Sequence, residues 1–266
     1  MNGEIKVSVI IPTYHRCALA WRAIASVLAQ TLTVDEIIVV DDGSTDGTGA
    51  ALEAAFGDRI RYLWQANAGF SAARNSGLRA AHGRILTLLD SDDEWLPDKT
   101  ACQLNWLNAH PDFGMVLCDV LCVNPNGDEI EIIHRRDAIP EDGDVLNWVL
   151  IQLALVPASL MMRHEVFKDA GEFDENLPTA EDLDFHLRVA AGWKIGIVDR
   201  VLVRAMRNGD GLSELKRIYD DYVTVIERSV AAAAGRVAQI DRRQALFRAY
   251  FRCTRGMIFF RQWAQA

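Results

Sequence analysis

The residues of this chain whose types and spacing could do chemistry are carboxylates, gathered in three places. Asp90, Asp92 and Asp93 stand within four residues, Asp41 and Asp42 are adjacent, and so are Glu181 and Asp182. Three acids in four residues repel one another unless a cation or several donors sit among their oxygens, because like charges a few Å apart raise each other's pKa. A hard divalent ion, Mg2+ or Mn2+, is a natural partner for the first cluster and would in turn hold phosphate oxygens. The same residues also read as a solvated acidic turn before a helix that begins near Pro97. Thr179-Ala180-Glu181-Asp182 reads as a helix start, with Thr179 as the N-cap and acids in the first turn. His186, four residues after Asp182, would share its helix face and suggests a second metal pair, although a lone helical histidine is more often packed or hydrogen-bonded.

The elements that must position these groups follow from hydrophobic pattern. Val7–Pro12, Glu36–Asp42, Ile60–Trp64 and Ile85–Leu89 are short apolar runs, read as strands, and the segments between them carry helical spacing over Cys17–Gln30, to Phe56, and over Ser71–Ala81. Four strand and helix alternations in under a hundred residues mean a mostly parallel sheet with helices on both faces. Ligands of such sheets bind beyond the carboxyl ends of the strands, where Pro12-Thr13-Tyr14, Asp41-Asp42 and Asp90–Asp93 all fall. Farther on, a helix at Lys99–Ala109 precedes strands Gly114–Asn124 and Glu129–His134 around the turn Asn126-Gly127. Val145–Val156 fits helix or strand, and Ala158–Met162 reads as strand. Helices are expected at Glu165–Ala170 and Glu181–Ala191, one or two strands within Trp193–Met206, and helices at Tyr219–Val230 and Arg242–Phe260.

Composition removes several classes of function. Half of the 266 residues are apolar, enough for a sizeable core, and the net charge of −9 argues against general nucleic-acid binding. The turn after the first strand, Pro12-Thr13-Tyr14-His15-Arg16, has no glycine, so the dinucleotide fingerprint is absent, and no P-loop pattern occurs. Cys17, Cys102, Cys118, Cys122 and Cys253 are odd in number and mostly set in apolar stretches, which suits reduced thiols in a cytoplasmic protein. Polar Met1–Lys6 and the stop at Pro12 do not make a signal peptide, and no apolar run is long enough to span a bilayer.

Together VSVIIPTYHR, EIIVVDDGSTDGT, NAGFSAARNSG, LLDSDDEWLPDK and TAEDLDFHLRV resemble the family 2 inverting glycosyltransferases, in order and spacing, over about Val7–Val189. The resemblance implies an α/β fold of GT-A (Rossmann-like) type, with a mixed, mostly parallel central sheet flanked by helices. It implies a catalytic domain over 1–210, nucleotide-binding in 1–110 and acceptor-binding in 111–210, followed by a helical extension over 211–266. On this pattern Asp42 matches the acid that accepts the uracil imide N–H, and Pro12, Thr13 and Tyr14 line the base. Arg74 matches the arginine near the nucleotide, where it could pair with an acid or with phosphate. Asp90-Ser91-Asp92 resembles the DxD motif: Asp90 would contact ribose or donor sugar, and Asp92, with Asp93, would reach the Mg2+ or Mn2+ on the diphosphate. Asp182 matches the catalytic base, for which a capped helix end is a rigid mount.

The resemblance thus implies transfer of a sugar from a nucleotide donor, UDP-linked, to a saccharide or lipid-linked saccharide. A sugar-phosphate nucleotidyltransferase is the enzymatic rival, but the chain lacks its Gly-rich, basic stretch after the first strand; a catalytically silent sugar-nucleotide-binding member of the family is the other. Arg236–Arg261 holds seven arginines against the single acid Asp241, with Phe247, Tyr250, Phe251, Phe259, Phe260 and Trp263 among them. That segment fits either a helix packed on the body or on a second subunit, or an amphipathic helix at the inner face of an anionic membrane.

Overall fold

A computed structural model gives the fold and describes residues 7–133, 140, 142–152, 156–207, 217–233 and 235–263. The first half is the expected alternation: β1 (Val7–Thr13), α1 (Cys17–Leu28), β2 (Glu36–Asp41), α2 (Thr48–Phe56), β3 (Arg61–Trp64), α3 (Phe70–Ala80) and β4 (Ile85–Leu88). β1 and β4 are buried along their whole length, which is why they read as largely apolar runs rather than alternating ones. The helices seat themselves by spacing, α1 through Ala20, Ala23, Ile24 and Val27. Gly77 lets α3 come close to the sheet: a Cβ there would fall 2.3 Å from Ile10 Cγ2.

The second half holds β5 (Glu94–Trp95), α4 (Lys99–Ala109), β6 (Phe113–Val123), β7 (Glu129–Ile133), α5 (Leu146–Gln152), β8 (Met161–Arg163), α6 (His164–Ala170), α7 (Glu181–Gly192), β9 (Lys194–Met206), α8 (Ile218–Ala232) and α9 (Gln239–Trp263). One nine-stranded sheet runs β3-β2-β1-β4-β8-β6-β9-β5, with β7 on β6. Pairing is parallel from β3 to β4, antiparallel on both sides of β8, and parallel again between β6 and β9. The sheet is therefore mixed, and its parallel half is the half that carries the Asp41-Asp42 and Asp90–Asp93 clusters.

Several local expectations change. The ambiguous apolar stretch is helical over Leu146–Gln152, while residues 153–155 lie outside the described residues, as does His134. β5 has no sequence signal, being two residues long and paired with β9 about a hundred residues later. The helix after Pro97 starts at Lys99, and Asp98 at its N-cap makes no side-chain cap. The β6–β7 hairpin does turn at Asn126-Gly127, where Gly127 has φ +88° and Asn124 Oδ1 accepts the N–H groups of Asn126 and Asp128. All five cysteines are free thiols, and no helix among the described residues is long and apolar enough to cross a membrane.

Lys99 is the unusual core residue. It is fully buried, its ammonium lies 4.1 Å from the centre of the Trp95 ring, and it donates to Thr87 Oγ1 at 3.3 Å and to the Leu160 carbonyl at 3.4 Å. Burial pulls its pKa down to about 8. The unfolded chain therefore binds more protons than the folded one between about pH 8 and pH 10.5, so this group makes stability rise with pH across that window. We expect the stability difference between the parent and Lys99→Met, measured by urea unfolding, to shift in favour of the parent by about 2 kcal/mol between about pH 8 and pH 10.

Candidate active site

Parallel pairing in register sets Thr13 beside Asp41 and Ile10 beside Leu88, so the segments leaving β1, β2 and β4 emerge at one edge of the sheet. At the end of β1, Pro12 and Thr13 are buried, Tyr14 is half-exposed, and Thr13 Oγ1 has no hydrogen-bond partner among the described residues. His15 sits at φ +50° and gives its N–H to Ser44 Oγ, which ties this turn to the one after β2.

The two aspartates ending β2 do different work. Asp41 is wholly buried, accepting Ser44 N–H at 2.7 Å and the Tyr62 hydroxyl at 2.6 Å. Asp42 accepts Gln65 Nε2 (2.7 Å) and Ala68 N–H (3.0 Å) on Oδ1 and Gly69 N–H (2.8 Å) on Oδ2. It thereby fixes the loop that opens α3, and the count of lone pairs leaves Oδ2 able to take one more donor. Gly43 is required directly after them: φ is +92°, and a Cβ would lie 2.8 Å from Asn67 N.

α3 supplies Arg74, 1 % exposed, which reaches across the crevice. One arm, Nη1, donates to Glu181 Oε1 at 2.8 Å and the other, Nη2, to Asp90 Oδ1 at 2.9 Å. The guanidinium centre lies 4.0 Å from the Phe70 ring centre and 5.2 Å from that of Phe173. Arg74 thus pairs with acids in the interior and not on the helix surface. The neighbouring Asn75 clips the 173–175 loop, donating to the Phe173 carbonyl and Glu175 and accepting Phe173 N–H. Through these two residues α3 holds the segment leading to α7 against the end of β4.

Ser91 is buried, while the two later acids of the β4 cluster face different partners. Asp92 pairs with Arg16 Nη1 at 2.8 Å, and burial together with the charge of Asp90 raises its pKa, the arginine opposing. Asp93 lies deeper, accepts Met206 N–H at 3.1 Å, and is pushed well above the usual carboxylate range by burial, then by Asp90 and Asp92. Acids that raise one another in this way fit a divalent cation, which would relieve the repulsion. Among the described residues no three His, Cys, Asp or Glu side chains close around a metal position, and His186 is fully buried.

Asp182 stands in the first turn of α7, partly buried, with its pKa raised to about 7 by burial and then by Glu181, against the pull of Arg74. Its Oδ1 accepts Leu183 N–H at 2.7 Å. The expected Thr179 cap does not form. Ala180 takes the N-cap position at φ +60°, and Thr179 turns its hydroxyl to Asp221 Oδ2 at 2.7 Å instead. Asp221 belongs to α8, a buried carboxylate competing successfully for that hydroxyl, and nothing local in the sequence announces it. Arg16 was likewise missed, because no spacing rule links it to Asp92, 76 residues away.

The buried fork of Arg74 gives a measurable expectation. Arg74→Met should cost about 3–5 kcal/mol in urea unfolding, because Asp90 and Glu181 lose their shared cation. Arg74→Lys should restore less than half, since one ammonium cannot span both carboxylates in the fork geometry.

The chain matches the description "Glycosyl transferase family 2" over residues 8–171. An uncharacterized glycosyltransferase of Rickettsia felis is 33 % identical over 207 residues, 77 % of this chain and 34 % of that protein, so the chain spans about a third of that relative's length. Among solved structures, S. aureus TarS 1–349 in complex with UDP-GlcNAc superposes with a TM-score of 0.70 at 22 % identity, covering 91 % of this chain and 70 % of the other. The mannosyltransferase PcManGT from Pyrobaculum calidifontis, in complex with GDP-Man and Mn2+, gives 0.62 at 21 % identity, covering 92 % and 73 %. Sequence motifs, the matched span and the superpositions agree: the chain belongs to glycosyl transferase family 2 and has the GT-A fold.

Proposed function

We propose that this chain transfers a sugar, with inversion, from a nucleoside diphosphate donor, UDP-linked, to a hydroxyl of a saccharide or lipid-linked saccharide. The observation that carries this reading is the Arg74 fork, which ties the DxD acid Asp90 to Glu181, the neighbour of Asp182. A donor-binding acid and a base with a pKa near neutrality are thereby held at one crevice.

In this reading residues 1–110 bind the donor and 111–210 the acceptor. The free acceptor position on Asp42 Oδ2 takes the imide N–H of the base, Pro12, Thr13 and Tyr14 line it, and the unpartnered Thr13 hydroxyl bonds to the nucleotide. Asp90 and the buried Ser91 contact ribose or donor sugar. Asp92 would hold Mg2+ or Mn2+, with Asp93 behind it as the support that fastens β9; the cation supplies positive charge where the departing diphosphate becomes more negative. Arg74 positions the carboxylates and does not itself reach the phosphates. Asp182 takes the proton of the acceptor hydroxyl as its oxygen attacks the anomeric carbon from the face opposite the leaving group.

The test is nucleotide release from UDP-sugars, and from GDP-mannose as a rival, with Mn2+ and with EDTA. Asp182→Asn should keep nucleotide binding and lose turnover by about a hundredfold or more. Retained turnover would remove Asp182 from the role of base, and nucleotide binding indifferent to metal would overturn the donor site. A base must be deprotonated, so kcat should fall about tenfold per unit below about pH 7 and level off above it. Asp182→Glu should keep such a limb at a shifted midpoint.

A further inference from the structure

We propose that α9 is a docking element for an anionic lipid bilayer. Its inward face is made of small residues: Ala245, Ala249 and Gly256 are buried, and a Cβ on Gly256 would fall 2.2 Å from the Tyr219 ring of α8. At about 100° per residue these three fall within about 40° of one another. Phe247, Phe251 and Ile258 form a second stripe, equally narrow and roughly opposite the first. Phe247 is 68 % exposed and Phe251 58 %, their rings stacked at 6.0 Å; Ile258 and Tyr250 stand out as well. The two phenylalanine rings thus face away from the body. The side chains of Phe259, Phe260 and Trp263 lie outside the described residues.

The borders of the stripe are basic. Arg248 and Arg255 line one side and Arg243 the other, while Arg252 lies nearer the inward face; all four are exposed, and among the described residues none of them is paired with a carboxylate. Arg248 donates to the Ile151 carbonyl and Arg252 to the Tyr222 hydroxyl, while Tyr250 donates to Glu227 of α8. Asp241 is the one acid on the helix. An apolar stripe edged by arginines matches the acyl boundary and phosphate layer of an anionic leaflet, the first taking the rings and the second the guanidinium groups. A second copy of the chain fits less well, because two-fold pairing over this stripe sets like-charged arginine rows against each other. With a net charge of −9, the remaining surface is repelled by the same leaflet, so charge selects this face for approach.

The test needs no turnover and stands apart from the proposed reaction. The full chain is sedimented with vesicles of equal parts phosphatidylglycerol and phosphatidylcholine, and with phosphatidylcholine alone. We expect binding to the anionic vesicles only, weakened by salt, and reduced by about tenfold or more in Phe247→Ser/Phe251→Ser and in Arg243→Gln/Arg255→Gln. All four positions are exposed, so circular dichroism should show both variants folded. No sedimentation with anionic vesicles, or equal binding to both compositions, would overturn the proposal. So would a dimer in analytical ultracentrifugation that the phenylalanine pair abolishes, which would assign the stripe to a second copy.

Discussion

A guanidinium buried between two carboxylates is the constraint on which the crevice depends. Arg74 is sealed from water, and a charge in that position is tolerable only while both of its partners are present. The partners come from distant places: Asp90 follows β4, and Glu181 begins α7, 107 residues after the arginine. One side chain therefore enforces agreement between the parallel half of the sheet and the mixed half. The rings of Phe70 and Phe173 keep water from the pair, and Asn75 fastens the loop beside it.

The surrounding acids divide into those that hold the scaffold and those with capacity to spare. Asp41 is consumed by Tyr62 and Ser44, Asp93 by the end of β9, and Asp221 by Thr179. Asp42 has one acceptor position left, and Asp92 and Asp182 are the partly exposed acids whose ionisation is pushed upward. Asp92 is crowded by Asp90 and Asp182 by Glu181, so the ionisation of both responds to a bound cation and to pH.

Much of this could be read from the chain because the first half is built from consecutive strands buried on both faces. Val7–Thr13, Glu36–Asp41 and Ile85–Leu88 are largely apolar runs, and each delivers its polar cluster directly at its carboxyl end. The motif residues Asp42, Arg74, Asp90 and Asp182 come instead from the resemblance to the family's motifs. What stayed hidden depends on long-range partners: β5 exists only because β9 passes beside it, and Arg16 pairs with an acid 76 residues away. Thr179 shows the limit of local rules most plainly. Its sequence neighbourhood favours a cap, yet a buried carboxylate on α8 offers its hydroxyl a stronger partner.

That last contact bears on modularity. α8 belongs to the helical segment after the sheet, which in outline looks like an appendage that could be exchanged between relatives. Yet Asp221 grips the residue three before Asp182, so the first turn of α7 is shaped partly by a helix that follows the sheet. A graft of these helices from another member would carry the geometry of the site with it, and inheritance of the two parts is coupled at a single hydroxyl.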